Sequence, residues 1–186
     1  DTLGNVICHK KGPGKRLMMA AHMDVIGLII THIDKKGFLR FGALGGFVPY
    51  RLIGARMKLE NGMGGSVWCD EKAMEEKKLE DITLGDLYLD IGAESEESAR
   101  KLVKVGDVAM YEGDPQQVGQ MLLSPYCDDL IACAALLSAM SQVEKSENDL
   151  YFVFTVQEEV GLRGAATAAY AIDPDFGVCM DVTRTG

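Results

Sequence analysis

Residues 150–159 read Leu150-Tyr151-Phe152-Val153-Phe154-Thr155-Val156-Gln157-Glu158-Glu159, a strand-forming run without polar alternation that stops at two adjacent acids. A run this short and this uniformly apolar suits a strand buried on both faces, as in a parallel sheet covered by helices. Two other stretches share the pattern. Arg16-Leu17-Met18-Met19-Ala20-Ala21 ends at His22-Met23-Asp24, and Phe176-Gly177-Val178-Cys179-Met180 ends at Asp181. In such sheets ligands gather outside the carboxyl ends of the strands, and all three polar endings fall on that side.

Helix signals lie between these runs. Asp128 and Asp129 precede an Ala/Leu-rich stretch from Leu130 to Met140, with acids where the helix dipole favours them. Gly164 to Ala171 is a second, small-residued candidate stopped near Pro174. The result is an α/β order. From about Val25 to Val118 the texture changes. A hairpin is expected around Asp34-Lys35-Lys36-Gly37, followed by short β-type runs between glycines, the composition of a small β-rich, barrel-like module. The expected organisation is therefore a first part of an α/β domain over 1–25, an inserted β-rich domain over 26–117 and a second part of the α/β domain over 118–186. The charged stretch Asp70 to Asp81 is expected to be a solvated loop or helix face.

With 186 residues, 47% hydrophobic and 25% charged, the chain has the mixture of a globular protein. Its 28 Asp plus Glu exceed its 19 Lys plus Arg, and the net charge of −9 argues against nucleic-acid binding. No apolar run approaches the roughly 18 residues of a membrane span, so no membrane partner and a cytoplasmic location are expected. The start at Asp1 and the polar end suggest a fragment. Five cysteines without a C-x-x-C pair make a disulfide framework or a cysteine zinc site unexpected. Cys133 and Cys179, inside apolar runs, are expected to be small core residues.

The chemistry rests on the strand endings. His22, Asp128, Glu159 and Asp181 offer one imidazole and three carboxylates, a donor set for a hard or borderline divalent metal. A single acid beside a strand is usually a loop or cap residue, but four such positions on one rim weaken that reading. Asp24, two residues after His22, is placed to accept the second ring N–H of a ligating histidine. His32-Ile33-Asp34 repeats the spacing but ends no buried run, and reads as part of a turn. His9, beside Lys10 and Lys11, reads as ordinary surface. Asp128 and Asp129 fit a helix start with an acid in its first turn, or else Asp128 is a carboxylate bridging two ions. Of Glu158 and Glu159, one should bind metal and the other stay free as general base; the residues alone leave open which.

Taken together, His22-Met23-Asp24, Asp128-Asp129, Glu158-Glu159-Val160-Gly161-Leu162-Arg163-Gly164-Ala165 and Asp181-Val182-Thr183 resemble the dinuclear-metal aminopeptidases of metallopeptidase family forty-two, the glutamyl or TET type. The likeness extends from Leu3-Gly4-Asn5 through Leu44-Gly45-Gly46 and Asp90-Ile91-Gly92-Ala93 to the last residues. It implies a catalytic α/β domain interrupted by a β-rich domain used for dimerisation and assembly into large, often dodecameric, shells. It further implies that His22, Asp128 and Asp181 bind one metal, zinc or cobalt, that Asp128 and Glu159 bind a second, and that Glu158 is the general base. Asp24 would be the partner of His22, and the Asp128–Asp129 peptide would be cis. Peptides would be hydrolysed from their free N-terminus. Two departures, Val25 in place of an acid and Leu130 in place of an arginine, bear on local substrate contacts or helix anchoring. The family's histidine for the second metal lies beyond Asp181-Val182-Thr183, so a complete ligand set is expected for one ion and two ligands for the other. The rival functions are a glycan hydrolase, which would use two free carboxylates and no metal, and a non-catalytic assembly homologue.

Overall fold

A computed structural model describes residues 1–184. In chain order the elements are β1 (Val6–Lys10), β2 (Arg16–His22), β3 (Gly27–Ile33), β4 (Leu39–Leu44), β5 (Arg56–Leu59), β6 (Gly64–Cys69), α1 (Glu71–Glu76), β7 (Leu87–Asp90), α2 (Glu96–Arg100), β8 (Val108–Tyr111), β9 (Gln116–Val118), β10 (Met121–Leu123), α3 (Cys127–Gln142), β11 (Asp149–Thr155), α4 (Arg163–Ile172) and β12 (Phe176–Cys179). They divide into two compact units, one of Asp1–Val25 with Pro115–Gly186 and one of Ile26–Asp114. The second boundary lies at Pro115, where the sequence reading put it at 118.

The first unit carries a four-stranded sheet in the order β1-β11-β2-β12. β11 and β12 both run parallel to β2, while β1 pairs antiparallel with β11. The unbroken apolar runs of β2 and β11 have a direct cause. Leu150, Phe152 and Phe154 pack with Ala21, Cys133 and Leu136 on the α3 side, whereas Val153 packs with Met18, Ala20, Ala168 and Ile172 on the α4 side. Both faces of the two strands are covered, so alternation would bury polar groups.

β12 departs from expectation. It lies at the sheet edge, all four of its residues are exposed, and Cys179 with them, so it is not a strand buried on both faces and Cys179 is not a core residue. An apolar run does not report whether a strand has neighbours on both sides. Cys133, by contrast, is buried against α3's own face of the sheet. His9 is more engaged than ordinary surface: its Nε2 lies 2.7 Å from Asp149 Oδ1 and its ring stacks on Tyr151 at 4.3 Å.

The second unit is a closed six-stranded barrel in the order β3-β4-β7-β6-β5-β8, with every pairing antiparallel. Its core is a set of fully buried aliphatic side chains, among them Leu28, Ile30, Leu39, Met57, Val67 and Leu89. Closure removes free strand edges, which is how short glycine-separated strands become a stable unit. Asp34 forms the expected turn, its carboxylate accepting the N–H groups of Lys36 (2.8 Å) and Phe38 (3.1 Å). Part of the charged stretch is helix α1 on the surface, but Asp70 is bound to Arg40 through two contacts of 2.8 and 2.9 Å. No helix among the described residues is long and apolar enough to cross a membrane.

Asp86 in this barrel accepts from Lys77 Nζ at 2.8 and 2.7 Å and from the Thr83 N–H and hydroxyl at 2.8 and 2.7 Å. The Lys77 ammonium foremost, then the two Thr83 donors, pull its carboxyl down to about 2. A depressed carboxyl stabilises the fold fully above its unfolded pKa of about 3.9 and loses that contribution as pH falls through about 2. Denaturant titrations of the wild type and Asp86→Asn should therefore differ by roughly 1 kcal/mol at pH 6, after allowing for solvent screening of this surface pair, and converge toward pH 2. A pH-independent difference would contradict this origin.

Candidate metal centre

The register of the sheet assembles the site within the first unit. β2 and β11 run parallel with His22 opposite Thr155, and the Met23 N–H continues the ladder to the Thr155 carbonyl at 2.9 Å. On the other side of β2, the Met180 N–H donates to the Ala20 carbonyl at 2.9 Å. Three chain segments therefore leave the sheet at one edge, carrying Asp24, Glu158 with Glu159, and Asp181. α3 supplies the fourth, because its first turn is broken: Asp128 and Asp129 have non-helical backbone angles, and the peptide between them is cis.

His22 sits at the centre, 3% exposed. Its Nδ1 lies 2.9 Å from the Asp24 carbonyl oxygen, an acceptor only, so Nδ1 carries a hydrogen. Its Nε2 lies 3.1 Å from Asp128 Oδ1 and 3.8 Å from Glu158 Oε2. The Asp24 carboxylate is farther from the ring, at 3.7 Å, and serves the backbone instead. Its Oδ1 accepts the Glu158 N–H at 3.0 Å and its Oδ2 the Glu159 N–H at 3.1 Å. Asp24 thus orients the histidine with its main chain and the two glutamates with its side chain, a division that residue spacing alone does not reveal.

Asp129 is fully buried. Its Oδ2 accepts the His22 N–H at 3.3 Å, and its Oδ1 is the one buried side-chain polar atom without a hydrogen-bond partner among the described residues. Beside it, the Cys133 thiol donates to the His22 carbonyl at 3.1 Å. Residue order alone marks Asp129 only as an acid of the first helical turn, since nothing in an Asp-Asp pair tells which member faces the core.

Two sets of side chains have possible ligand atoms within 4.8 Å of one another: His22 with Asp128 and Glu159, and His22 with Asp129 and Asp181. Asp181 thus groups with Asp129 rather than with Asp128, and Glu158 belongs to neither set. Burial lowers the proton affinity of His22, but the Asp24 carbonyl and the charges of Glu158, Asp129 and Asp24 more than offset it, and its pKa is raised. Burial raises Asp129, against the His22 contacts and reinforced by Asp181 and Asp128. Glu159 is raised first by burial and next by the Asp128 charge. Carboxylates crowded together in this way resist ionising unless a cation joins them.

The residues fit a divalent cation on three grounds. The donors are imidazole nitrogen and carboxylate oxygen. The His22 Nε2 faces a carboxylate oxygen, an approach that is repulsive for a lone pair unless a proton or a metal ion lies between. Finally, the orphaned Asp129 Oδ1 is a buried acceptor beside the same group.

Comparison with known proteins places the chain in a family. Residues 4–186 match the family described as M42 glutamyl aminopeptidase. A provisionally assigned aminopeptidase of Acetivibrio thermocellus is 51% identical over 186 residues, which are all of this chain and 56% of that protein. Among solved structures, an aminopeptidase from the archaeon Desulfurococcus kamchatkensis superposes with a TM-score of 0.90 at 38% identity, covering 98% of this chain and 52% of the other. The Pyrococcus horikoshii TET1 peptidase, described as assembling into a tetrahedron or a large octahedral shell, gives 0.85 at 34% identity over 97% of this chain and 57% of the other. A Thermotoga maritima structure titled endoglucanase gives 0.83 at 28%, covering all of this chain and 55% of the other. The chain spans about half the length of the relatives it matches. A match over almost every residue, together with a buried histidine ringed by strand-end carboxylates, makes this chain a member of the M42 glutamyl aminopeptidase family.

Proposed function

We propose that this chain carries the catalytic centre of a metal-dependent aminopeptidase that releases N-terminal residues from peptides. The observation that carries the reading is the convergence of two metal-capable sets on one histidine, with a further carboxylate, Glu158, outside both sets but 3.8 Å from His22 Nε2. By the family resemblance His22, Asp128 and Asp181 would hold one divalent cation of the zinc or cobalt type, and Asp128 and Glu159 a second; the geometry supports a different grouping, with His22 shared between a set with Asp128 and Glu159 and a set with Asp129 and Asp181. Asp129 lies against the same cluster and braces His22 through its main-chain N–H. When bound, the cations supply Lewis acidity to the scissile carbonyl, acidity to a water and an anchor for the free amino group.

The chain's own residues carry the proton. Glu158 is held by the Asp24 carboxylate through its N–H but has an unligated side chain, as a general base requires. Its Oε2 takes the proton of the attacking water. As the peptide C–N bond breaks, the same oxygen returns that proton to the departing amine, so the carboxylate is regenerated. His22, with Nδ1–H fixed on the Asp24 carbonyl, would offer its Nε2 lone pair to a bound cation. A glycosidase would need two free carboxylates flanking a sugar bond; here the acids instead converge on an imidazole. Homo-oligomerisation is supported by the shells described for the TET1 relative; the barrel unit as the dimerising element is what the family resemblance implies, and a cytoplasmic location remains the sequence-based expectation.

Glu158→Gln should lower kcat for an N-terminal aminoacyl anilide or dipeptide by about 10²–10⁴-fold while leaving metal content unchanged. Activity within twofold of wild type would remove Glu158 from the mechanism, and β-glucan hydrolysis resistant to chelation would replace the peptidase reading altogether. Asp24→Ala frees two main-chain N–H groups and loosens the glutamate turn. It should weaken zinc affinity about 10–100-fold, measured by competition with a chromophoric chelator.

A further inference from the structure

The turn that presents Glu158 and Glu159 is conformationally costly. Within it, Gln157 (φ 57°), Gly161 (φ 123°) and Leu162 (φ 59°) all have positive φ, which the side chains of Gln157 and Leu162 disfavour. Such a turn persists only where its surroundings over-determine it. Asp24 holds its middle. Its two ends, Val156 and Gly164, meet directly, with the Gly164 N–H donating to the Val156 carbonyl at 3.0 Å.

The other two backbone groups of that junction are both met by one distant side chain, the Gly164 carbonyl also accepting the Thr167 hydroxyl at 3.0 Å. Asn5, 3% exposed and just ahead of β1, accepts the Val156 N–H with Oδ1 at 3.0 Å and donates from Nδ2 to the Gly164 carbonyl at 2.9 Å. The carboxamide therefore closes a ring across the base of the turn. It supplies one acceptor and one donor in a single plane, as a neighbouring strand would. Nδ2 is further fixed by Asp1 Oδ2 at 2.6 Å and Thr167 Oγ1 at 3.2 Å. The junction has no slack. A Cβ on Gly164 would stand 2.2 Å from the Val156 carbonyl oxygen and 2.5 Å from Asn5 Oδ1. Serine offers too short a reach for both groups, and aspartate of the same shape has no hydrogen to give the Gly164 carbonyl.

We infer that Asn5 is a positioning residue, clamping the ends of the 157–163 turn so that Glu158 and Glu159 stand at fixed places beside His22. It touches no reacting atom. The inference rests on the proposed function only for the chemical roles of the two glutamates, since the clamp itself is independent of them.

The near-isosteric Asn5→Asp variant tests it, with Thr167→Ala as a comparison that removes the hydroxyl touching both Asn5 Nδ2 and the Gly164 carbonyl but leaves the two direct bonds of Asn5 to Val156 and Gly164. In Asn5→Asp, hydrogen–deuterium exchange should rise about tenfold or more at 156–164 while β2 and the middle of β11 keep wild-type protection. Zinc affinity should fall about tenfold, and kcat should fall more than KM rises. Thr167→Ala should stay within threefold of wild type in all three. Unchanged exchange at 156–164 would overturn the inference, and so would a uniform rise across β2 and β11, which marks a merely structural residue. If exchange and zinc affinity respond as expected but Glu158→Gln remains active, the clamp stands and the catalytic reading falls.

Discussion

The in-register parallel pairing of β2 with β11 is the constraint on which the rest of the site depends. His22 is the last residue of β2 and lies opposite Thr155, the last residue of β11. Parallel strands end on the same side, so a histidine and a pair of glutamates distant in sequence are delivered to one edge without any loop having to reach across. A shift of one residue would reverse the faces of the whole strand and carry His22 out of line with the glutamates that follow β11. The packing of Phe152 and Phe154 against Cys133 and Leu136 holds that register.

Around this frame the polar groups brace one another. Asp24 serves the histidine with its carbonyl and the glutamates with its carboxylate. Asp129 and Cys133 hold the main chain of His22 from the α3 side. The result is a histidine with little rotational freedom, surrounded by acids whose mutual repulsion leaves the cluster electrostatically incomplete without a cation. Stability and function pull in opposite directions here, as buried like charges are tolerated where they serve binding.

Much of this was legible in the residues. Uniform apolar runs marked β2 and β11 because burial on both faces leaves no alternation, and the polar endings marked the rim because strand ends are where side chains meet solvent. The glycine-rich texture likewise marked the barrel. What escaped detection shares a physical reason. β12 has the same apolar text as its neighbours, but exposure depends on what stands beside a strand, and a linear pattern carries no neighbour. The partners of Asp24 and Asp129 are backbone groups, which every residue possesses and no residue type announces. Asn5 is equally quiet in sequence, a polar residue before a strand whose two partners lie more than 150 positions away.

Calorimetric titration of the full chain with Zn²⁺ at neutral pH, set beside His22→Ala, tests the central claim most directly, because both metal-capable sets share that histidine. The account predicts saturable binding by the wild type and its loss by at least a hundredfold in His22→Ala with the fold intact. Absence of binding by the wild type, or equal binding by the variant, would contradict it.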